Sequence, residues 1–170
     1  LRDVDNTHIL PMLAPFEQSG CSVRQLGRAL NIMAPRRLSA VRHIRTMPYP
    51  GFPTDAQPVV MAMAAVGRGT SIFVETIFEN RFKHAEGLER LGAKIKVEGK
   101  VAIVEGVEHL TGAPVMSHDL RGGAALVVAG LCAQGRTQVD GVEYIRRGYE
   151  DLAGNLADLG ARIREVEEAP

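Results

Sequence analysis

Four short polar segments in the later part of the chain carry side chains suited to binding an anionic substrate beside an alcohol. They are residues 48–55 (PYPGFPTD), 78–82 (FENRF), 119–121 (DLR) and 147–150 (RGYE). Their charged groups include one carboxylate on a proline-rich segment and three guanidiniums: Asp55, Arg81, Arg121 and Arg147. A guanidinium presents a planar fork of donors that matches carboxylate and phosphate oxygens, and a carboxylate can accept a proton from a hydroxyl. These residue types therefore indicate a site for a multiply anionic substrate next to an alcohol.

Asp55 has two interpretations. The sequence around it, followed by the apolar run 59–66, predicts the start of a helix with Asp55 at or next to the N-cap, and a capping aspartate needs no other role. The lead-in favours a functional role, because three prolines in residues 48–53 fix the backbone more firmly than a cap requires. A nearby helix N-terminus would also stabilise the anion and weaken it as a base. Both interpretations stay open at this stage.

The arginines are predicted to lie at or near helix N-termini, where a cation opposes the helix dipole. Arg81 falls between a predicted strand (71–75) and helix (82–91), Arg121 near the start of a helix (120–133), and Arg147 before a helix (149–159). Residues that break a local stability rule are favoured as functional. The alternative is that they are surface arginines paired with Glu79 and Glu150. Asp119, two residues before Arg121, is expected either to cap its helix or to orient that arginine.

A weak internal repeat organises the chain. Residues 156–163 (LADLGARI) match 88–95 (LERLGAKI) and, more loosely, 16–23 (FEQSGCSV). Each predicts a helix, a glycine at its C-terminus and a strand, and Glu98-Gly99 predicts a hairpin turn. The pattern indicates full units at about 41–106 and 107–170 and a partial unit at about 1–40, so we expect a fragment of a longer protein. Because Arg81 and Arg147 occupy equivalent positions in two units, we expect them to lie close together.

Composition excludes several other classes of function. A chain of 170 residues that is 45% hydrophobic fits one globular domain. Its net charge is zero and no basic stretch has interleaved aromatics, so nucleic acid is not an expected partner. The apolar runs are too short to span a membrane and no export signal opens the chain, so we expect a cytoplasmic protein. The two cysteines and five histidines lack ligand spacing, and no glycine-rich phosphate loop is present, so no metal and no cofactor are expected.

The four segments, in this order and spacing, resemble those of the UDP-N-acetylglucosamine 1-carboxyvinyltransferases (enolpyruvyl transferases). The resemblance runs from about Arg45 to Val166 and is looser before that. It identifies the chain as the C-terminal portion of such a protein. It implies an α/β fold in which each of two domains is an inside-out α/β barrel of repeated βαβαββ units, here with the first unit truncated. The active site would lie in the cleft between the domains.

The resemblance also implies a reaction and roles for residues. Enolpyruvyl would be moved from phosphoenolpyruvate to the 3-hydroxyl of UDP-N-acetylglucosamine, releasing phosphate, in peptidoglycan synthesis. Asp55 would bind and deprotonate the hydroxyl, and the Ile77 backbone and Phe78 would contact the UDP-sugar. Three arginines would hold the phosphoenolpyruvate anion: Arg81, Arg121 and Arg147. Asp55 and Arg147 would be the catalytic residues. Asp119 would be a further substrate-binding residue. Electrostatic stabilisation in a closed cleft would carry the catalysis.

The chain departs from the family pattern in three respects. Arg146 stands where an acidic residue usually precedes the RGYE motif, and Gly122 stands where alanine is usual. The family's mobile loop with its general acid, and its phosphoenolpyruvate-binding lysine, would belong to an N-terminal domain upstream of Leu1. We therefore expect the 170-residue chain alone to be inactive. The alternatives are a fragment that only binds UDP-sugar or serves as a structural domain, and a related 3-phosphoshikimate 1-carboxyvinyltransferase.

Overall fold

Helices and strands alternate along the chain in the computed structural model, which describes residues 1–166. The helices are α1 (Asn6–Gln18), α2 (Gln57–Ala65), α3 (His84–Arg90), α4 (Leu120–Cys132), α5 (Val142–Arg146) and α6 (Leu152–Asp158). The strands are β1 (Ser22–Leu26), β2 (Ala29–Met33), β3 (His43–Arg45), β4 (Thr70–Val74), β5 (Lys94–Glu98), β6 (Val101–Glu105), β7 (Leu110–Thr111), β8 (Pro114–Met116), β9 (Ala133–Gln134) and β10 (Gln138–Asp140).

The middle of the chain forms one sheet with two crossover helices. Its elements follow in the order β3-α2-β4-α3-β5-β6, and the strands lie in the order β3-β4-β6-β5. β3 and β4 are parallel, whereas β6 is antiparallel to both β4 and β5. The hairpin predicted at Glu98-Gly99 is present, since Glu98 pairs with Val101 and Gly99 has a φ of +57°. This order is βαβαββ, the unit of the expected α/β fold.

The flanking segments are shorter versions of the same arrangement. The earlier one contributes α1 and the antiparallel pair β1-β2. The later one contains the parallel pairs β8-β10 and β7-β9 around α4, followed by α5 and α6. The strand expected after Gly160 is wrong, because residues 161–166 form none. The short helix α5 had no counterpart in the sequence-based prediction.

Three glycines end helices in the way the repeat predicts. Gly20, Gly92 and Gly160 have φ values of +92°, +92° and +94°. The left-handed conformation turns the chain sharply out of a helix, and it is strained for a residue with a Cβ atom. The recurring glycine therefore marks the same backbone turn in all three segments.

The core lies between the central sheet and the paired helices α2 and α4. α2 packs against α4, and α3 contacts α4 from the side. The largest fully buried side chains include Phe73 from the sheet, Met61 from α2, Leu88 from α3 and Leu126 from α4. The helices thus share one apolar core with the sheet, which fixes the N-termini of α2 and α4 relative to the ends of the strands. Within residues 1–166, no helix has the length and apolar character needed to cross a bilayer.

Gly106 lies at a close backbone contact, which gives a test of the packing. A Cβ atom at this position would lie 1.5 Å from the Gly67 carbonyl oxygen. We expect Gly106→Ala to lower the free energy of unfolding by about 3 kcal/mol, because the backbone must move to relieve the clash. Gly135→Ala is the comparison, since a Cβ there meets nothing within 4 Å and its expected cost, about 1 kcal/mol, comes only from the φ of +92°. Urea unfolding of both variants compares the two effects, and an equal loss would contradict the close packing.

Candidate functional site

The candidate site lies where β3 and β4 end and where α2 and α4 begin. Because β3 and β4 are parallel, their carboxyl ends meet at one edge of the sheet. The proline-rich segment 48–55 follows β3, and the segment 75–82 follows β4. α4 begins at Leu120 and packs against α2. The fold therefore brings three of the four polar segments to one place.

Asp55 bridges two of the predicted arginines. Its Oδ1 atom accepts from Arg81 Nη2 at 2.8 Å, and its Oδ2 atom accepts from Arg121 Nη2 at 2.9 Å. The Asp55 side chain is 53% exposed, against 20% for Arg81 and 30% for Arg121. The predicted position next to the N-cap is confirmed, because α2 begins at Gln57 with Ala56 at its N-cap, but the capping role is wrong, because no side-chain cap bond forms there. The carboxylate is instead shared between two guanidiniums from separate segments of the chain.

Arg121 is held on both sides. Its Nη1 atom lies 3.4 Å from the Tyr149 hydroxyl, and its guanidinium carbon lies 5.7 Å from the centre of that ring. Burial lowers the pKa of Arg121, but hydrogen bonds to Tyr149 and Asp55 and the charge of Asp55 outweigh it, so the pKa is above its usual value. Arg121 therefore stays cationic, and Tyr149 connects it to the segment that carries Arg147.

Arg81 is held against Phe78, and its side chain is less exposed than that of Arg121, the other arginine that pairs with Asp55. Its guanidinium carbon lies 5.6 Å from the Phe78 ring centre, a cation–π distance. Its Nε atom is buried and has no hydrogen-bond partner within residues 1–166. The acid that Arg81 pairs with is Asp55, rather than the neighbouring Glu79. One face of this group thus lies against Phe78, while its Nη2 atom contacts Asp55.

Arg147 lies against Tyr144, and its expected proximity to Arg81 stays a prediction. Its guanidinium carbon lies 5.1 Å from the Tyr144 ring centre, and within the described part of the chain it forms no ion pair with Asp55 or Glu150. The arginine that joins Arg81 on Asp55 is Arg121. The unusual Arg146 pairs with Glu165 at 2.6 Å, so its charge is balanced by an acid from farther along the chain.

Asp119 caps α4. Its Oδ1 atom accepts from the backbone N–H groups of Arg121 at 3.0 Å and Gly122 at 2.7 Å. A Cβ atom at Gly122 would lie 2.8 Å from Asp119 Oδ2 and 3.0 Å from His84 Cβ, so glycine allows α3 and α4 to approach closely here. Asp119 therefore acts on Arg121 through the backbone, because its hydrogen bond to the Arg121 N–H fixes the position from which the arginine side chain extends.

An open cavity of about 380 Å³ lies beside Asp55. Its lining combines the proline-rich segment with the residues after β4: Met47, Pro48, Pro53, Thr54, Asp55, Ile77 and Phe78. Ile77 and Phe78, named from the sequence, are 38% and 52% exposed. The sequence did not identify Met47 and Thr54 as site residues. The cavity joins an apolar wall to a charged edge, as a ligand with both characters requires.

Glu75 is the main polar residue that sequence reasoning missed. It is 1% exposed and accepts hydrogen bonds from the two segments that line the cavity. Strand alternation offered a signal, because Ser71 and Phe73 are also buried and Glu75 continues their face of β4 by a period of two. A carboxylate on the buried side of an otherwise apolar strand needs partners. In residues 1–166 no cluster of three or more histidine, cysteine or acidic side chains is placed to hold a metal ion.

The chain is similar to known enolpyruvyl transferases along most of its length. The family model for EPSP synthase (3-phosphoshikimate 1-carboxyvinyltransferase) matches residues 4–156. A UDP-N-acetylglucosamine 1-carboxyvinyltransferase from Desulfofundulus thermocisternus is 52% identical, over 96% of this chain and 67% of that protein. UDP-N-acetylglucosamine 1-carboxyvinyltransferase 2 of Caldanaerobacter subterraneus subsp. tengcongensis is 49% identical, over 94% of this chain and 38% of that protein.

Solved structures agree with these matches. The enolpyruvyl transferase NikO from Streptomyces tendae superposes with a TM-score of 0.82 at 29% identity, over 92% of this chain and 36% of that one. The chain thus spans only about 38% of the length of relatives such as the Caldanaerobacter protein. The chain belongs to the EPSP synthase (3-phosphoshikimate 1-carboxyvinyltransferase) family, and its relatives at about half identity within that family are UDP-N-acetylglucosamine 1-carboxyvinyltransferases.

Proposed function

We propose that this chain is the part of a UDP-N-acetylglucosamine 1-carboxyvinyltransferase that supplies the base and two anion-binding arginines. The observation that supports this most directly is the Asp55 carboxylate, shared between Arg81 and Arg121 at 2.8 and 2.9 Å. In the reaction, the 3-hydroxyl oxygen of the sugar bonds to C2 of phosphoenolpyruvate, and the bond from C2 to the phosphate oxygen breaks. The hydroxyl proton passes to Asp55, C3 gains a proton from the general acid as the oxygen adds to C2, and C3 loses a proton as phosphate leaves, which restores the double bond.

The two ion pairs give Asp55 a role that depends on the substrate. While both of its oxygens accept from guanidiniums, the carboxylate has less capacity left to accept from a sugar hydroxyl. A phosphoenolpyruvate anion offers the same guanidiniums more charge and more oxygens, so it competes for Arg81 and Arg121. Asp55 would then be released toward the sugar hydroxyl only when the second substrate is in place.

The other site residues have supporting roles in this proposal. The Ile77 N–H donates to Glu75, so the Ile77 carbonyl is the backbone atom left to contact the UDP-sugar. Phe78 offers an exposed ring beside the same cavity. Arg147 would leave Tyr144 to meet the developing charge on the substrate, and Asp119 would fix the backbone of Arg121. An N-terminal domain would provide the general acid and close the cleft.

Of the alternatives, the 3-phosphoshikimate reaction is supported only by the family model's description, whereas the relatives at 49% and 52% identity carry the UDP-sugar name. The proposed activity belongs to peptidoglycan synthesis and places the protein in the cytoplasm, where nucleotide sugars are made. It requires no metal or cofactor.

A chimera tests the proposal. This chain replaces the aligned segment of the Caldanaerobacter relative, and phosphate release is measured with phosphoenolpyruvate and either UDP-N-acetylglucosamine or 3-phosphoshikimate. We expect turnover with the UDP-sugar alone, and none from the 170-residue chain by itself. The unmodified relative is the control. A chimera that unfolds as cooperatively as this control but releases no phosphate, or that prefers 3-phosphoshikimate, would contradict the proposal.

A second measurement separates binding from catalysis. Calorimetry of the 170-residue chain with UDP-N-acetylglucosamine distinguishes a fragment that retains weak sugar affinity from one with a purely structural role. Because the cavity beside Asp55 is open and preformed, we expect weak binding that Phe78→Ala abolishes. Val97→Ala is the control, since Val97 is similarly exposed at 43% but lies on β5, away from the cavity lining.

A further inference from the structure

We infer that Glu75 is a positioning residue, which fixes Asp55 relative to the Ile77-Phe78 backbone and so sets the geometry of the site. Its kinetic consequences rest on the proposed function. The structural claim rests on four hydrogen bonds to one carboxylate. Oε1 accepts from Thr46 Oγ1 at 2.8 Å, Ile77 N at 2.8 Å and Phe78 N at 3.1 Å, and Oε2 accepts from Thr54 Oγ1 at 2.9 Å.

The carboxylate is buried without a cation beside it. Glu75 is 1% exposed, and within residues 1–166 it forms no salt bridge. Burial raises the pKa of Glu75, but the hydrogen bonds from the Ile77 amide, Thr46, the Phe78 amide and Thr54 together lower it below the usual value. A buried anion is retained only when donors surround it. The four donor groups are therefore held in position around the Glu75 carboxylate.

Those donors belong to the segments that form the site. Thr54 directly precedes Asp55, and Ile77 and Phe78 line the cavity with it. The Phe78 ring stacks on Arg81, and Arg81 pairs with Asp55. The contacts make a closed circuit from Glu75 through Thr54 and Asp55 to Arg81, and back through Phe78. A shift of Glu75 must therefore move the base and its guanidinium partner together.

Thr46 anchors this circuit to the sheet. It is fully buried just after β3, and its Oγ1 atom also accepts from the Thr76 N–H at 2.9 Å. The Thr46 N–H in turn donates to the Val74 carbonyl at 3.0 Å. The rigid end of the parallel strand pair thus sets the position of the carboxylate, which a residue serving only to fill the core would not need.

Two variants cut the circuit at different points. Thr54→Val removes the hydroxyl that joins Glu75 to the Asp55 segment while keeping the side chain's shape. Glu75→Gln keeps the volume but removes the charge and at least one acceptor. The matched controls are Thr70→Val, at the opposite end of β4, and Glu89→Gln, exposed on α3.

Nuclear magnetic resonance of the 170-residue chain tests the structural claim without any activity. With Glu75→Gln, we expect the Ile77 and Phe78 amide protons to move upfield, because they lose a charged acceptor. With Thr54→Val, we expect the Asp55 carboxyl carbon and the Arg81 Nε–H signals to shift while the Ile77 and Phe78 amides stay in place. If these signals match those of the control variants, the circuit does not position the site and the inference is overturned.

Kinetics of the chimera test the functional claim. We expect Thr54→Val to lower kcat about tenfold, the value of one charge-assisted hydrogen bond, with KM for the UDP-sugar nearly unchanged. Glu75→Gln should lower kcat about 10²-fold and raise that KM, because both walls of the cavity move. The double variant should be no worse than Glu75→Gln alone, since both changes break the same link. Additive losses, or losses of stability with kcat and KM at the control values, would overturn the inference.

The two experiments keep the proposals apart. A well-folded chimera that is inactive before any substitution contradicts the proposed function, and the resonance shifts then still decide whether Glu75 holds Asp55. An active chimera with unperturbed kinetics in both variants contradicts the positioning role alone.

Discussion

Asp55→Asn in the chimera should lower kcat about 10³-fold, the middle of the range for removal of a positioned general base. Asparagine has nearly the same shape but cannot take the proton from the sugar hydroxyl. It also loses the charge that now pairs with Arg81 and Arg121 at 2.8 and 2.9 Å. Phosphate release under saturating substrates measures the loss. Asp158→Asn, an exposed change on α6, is the control and should leave kcat unchanged.

The same variant should bind anions more tightly, which distinguishes this geometry from a simple loss of function. With Asp55 neutral, Arg81 and Arg121 face the cavity edge without their common partner. We expect inorganic phosphate to bind the Asp55→Asn chain about tenfold more tightly at low salt, since an anion no longer competes with a carboxylate. Titration calorimetry measures both affinities. Reduced kcat with unchanged or weaker phosphate binding would show that Asp55 does not mask the two arginines.

This opposite response of rate and affinity follows from one carboxylate serving two functions. Asp55 lies between two guanidiniums that are 20% and 30% exposed, and its single negative charge offsets one of their two positive charges and reduces their mutual repulsion. In the proposed reaction, an anionic substrate would take those donors, and the same carboxylate would then become available as a base. Activation of the base would therefore depend on whether the anion has bound to Arg81 and Arg121.

The sequence predicted the local features of the fold well, because each depended on residues near one another in the chain. The left-handed glycines that end helices and the hairpin at Gly99 follow from backbone sterics alone. The missing strand after Gly160 shows the limit of this reasoning: a strand needs a hydrogen-bonding neighbour, and residues 161–166 pair with none in the described part of the chain.

The partners of Asp55 could not be predicted because they depend on helix packing. Symmetry of the repeat suggested only that Arg81 and Arg147 lie close together, whereas the pairing of Arg121 with Asp55 depends on the contact between α2 and α4. The absence of a side-chain cap bond at the start of α2 excludes the capping interpretation of Asp55, whereas the functional interpretation stays a prediction. Glu75 was overlooked because its role arises from Thr46, Thr54 and the Ile77 amide, which only the folded sheet brings together.

The buried His84 should make the protein lose stability between about pH 6.5 and pH 4. It is the first residue of α3, 4% exposed, and neither ring nitrogen has a hydrogen-bond partner within residues 1–166. Burial lowers its pKa from 6.5 to about 4, the charge of Arg81 adds to that effect, and Asp119 and the Arg81 backbone oppose it. The ring is therefore neutral in the folded protein at pH values where the unfolded chain already binds a proton.

The sign of the pH effect follows from that difference in proton binding. Above pH 6.5 both states carry a neutral ring and the group adds no pH dependence. As the pH falls toward 4, the unfolded state alone gains a proton, so the free energy of unfolding decreases by on the order of 3 kcal/mol. Below pH 4 both states are protonated and the loss levels off.

His84→Leu isolates this contribution, because leucine fills much of the same space and does not titrate. Urea unfolding at pH 7 and pH 4.5 should show a smaller loss of stability for His84→Leu than for the unchanged chain, since carboxylates such as Glu75 titrate equally in both. His109→Gln, an exposed histidine change, should leave the difference between the two pH values intact. Equal losses in the His84→Leu variant and the unchanged chain would mean that the ring is protonated in the fold and that the contact between α3 and α4 admits a charge. The 4% exposure of His84 argues against that, because a charge removed from water is costly unless partners compensate it.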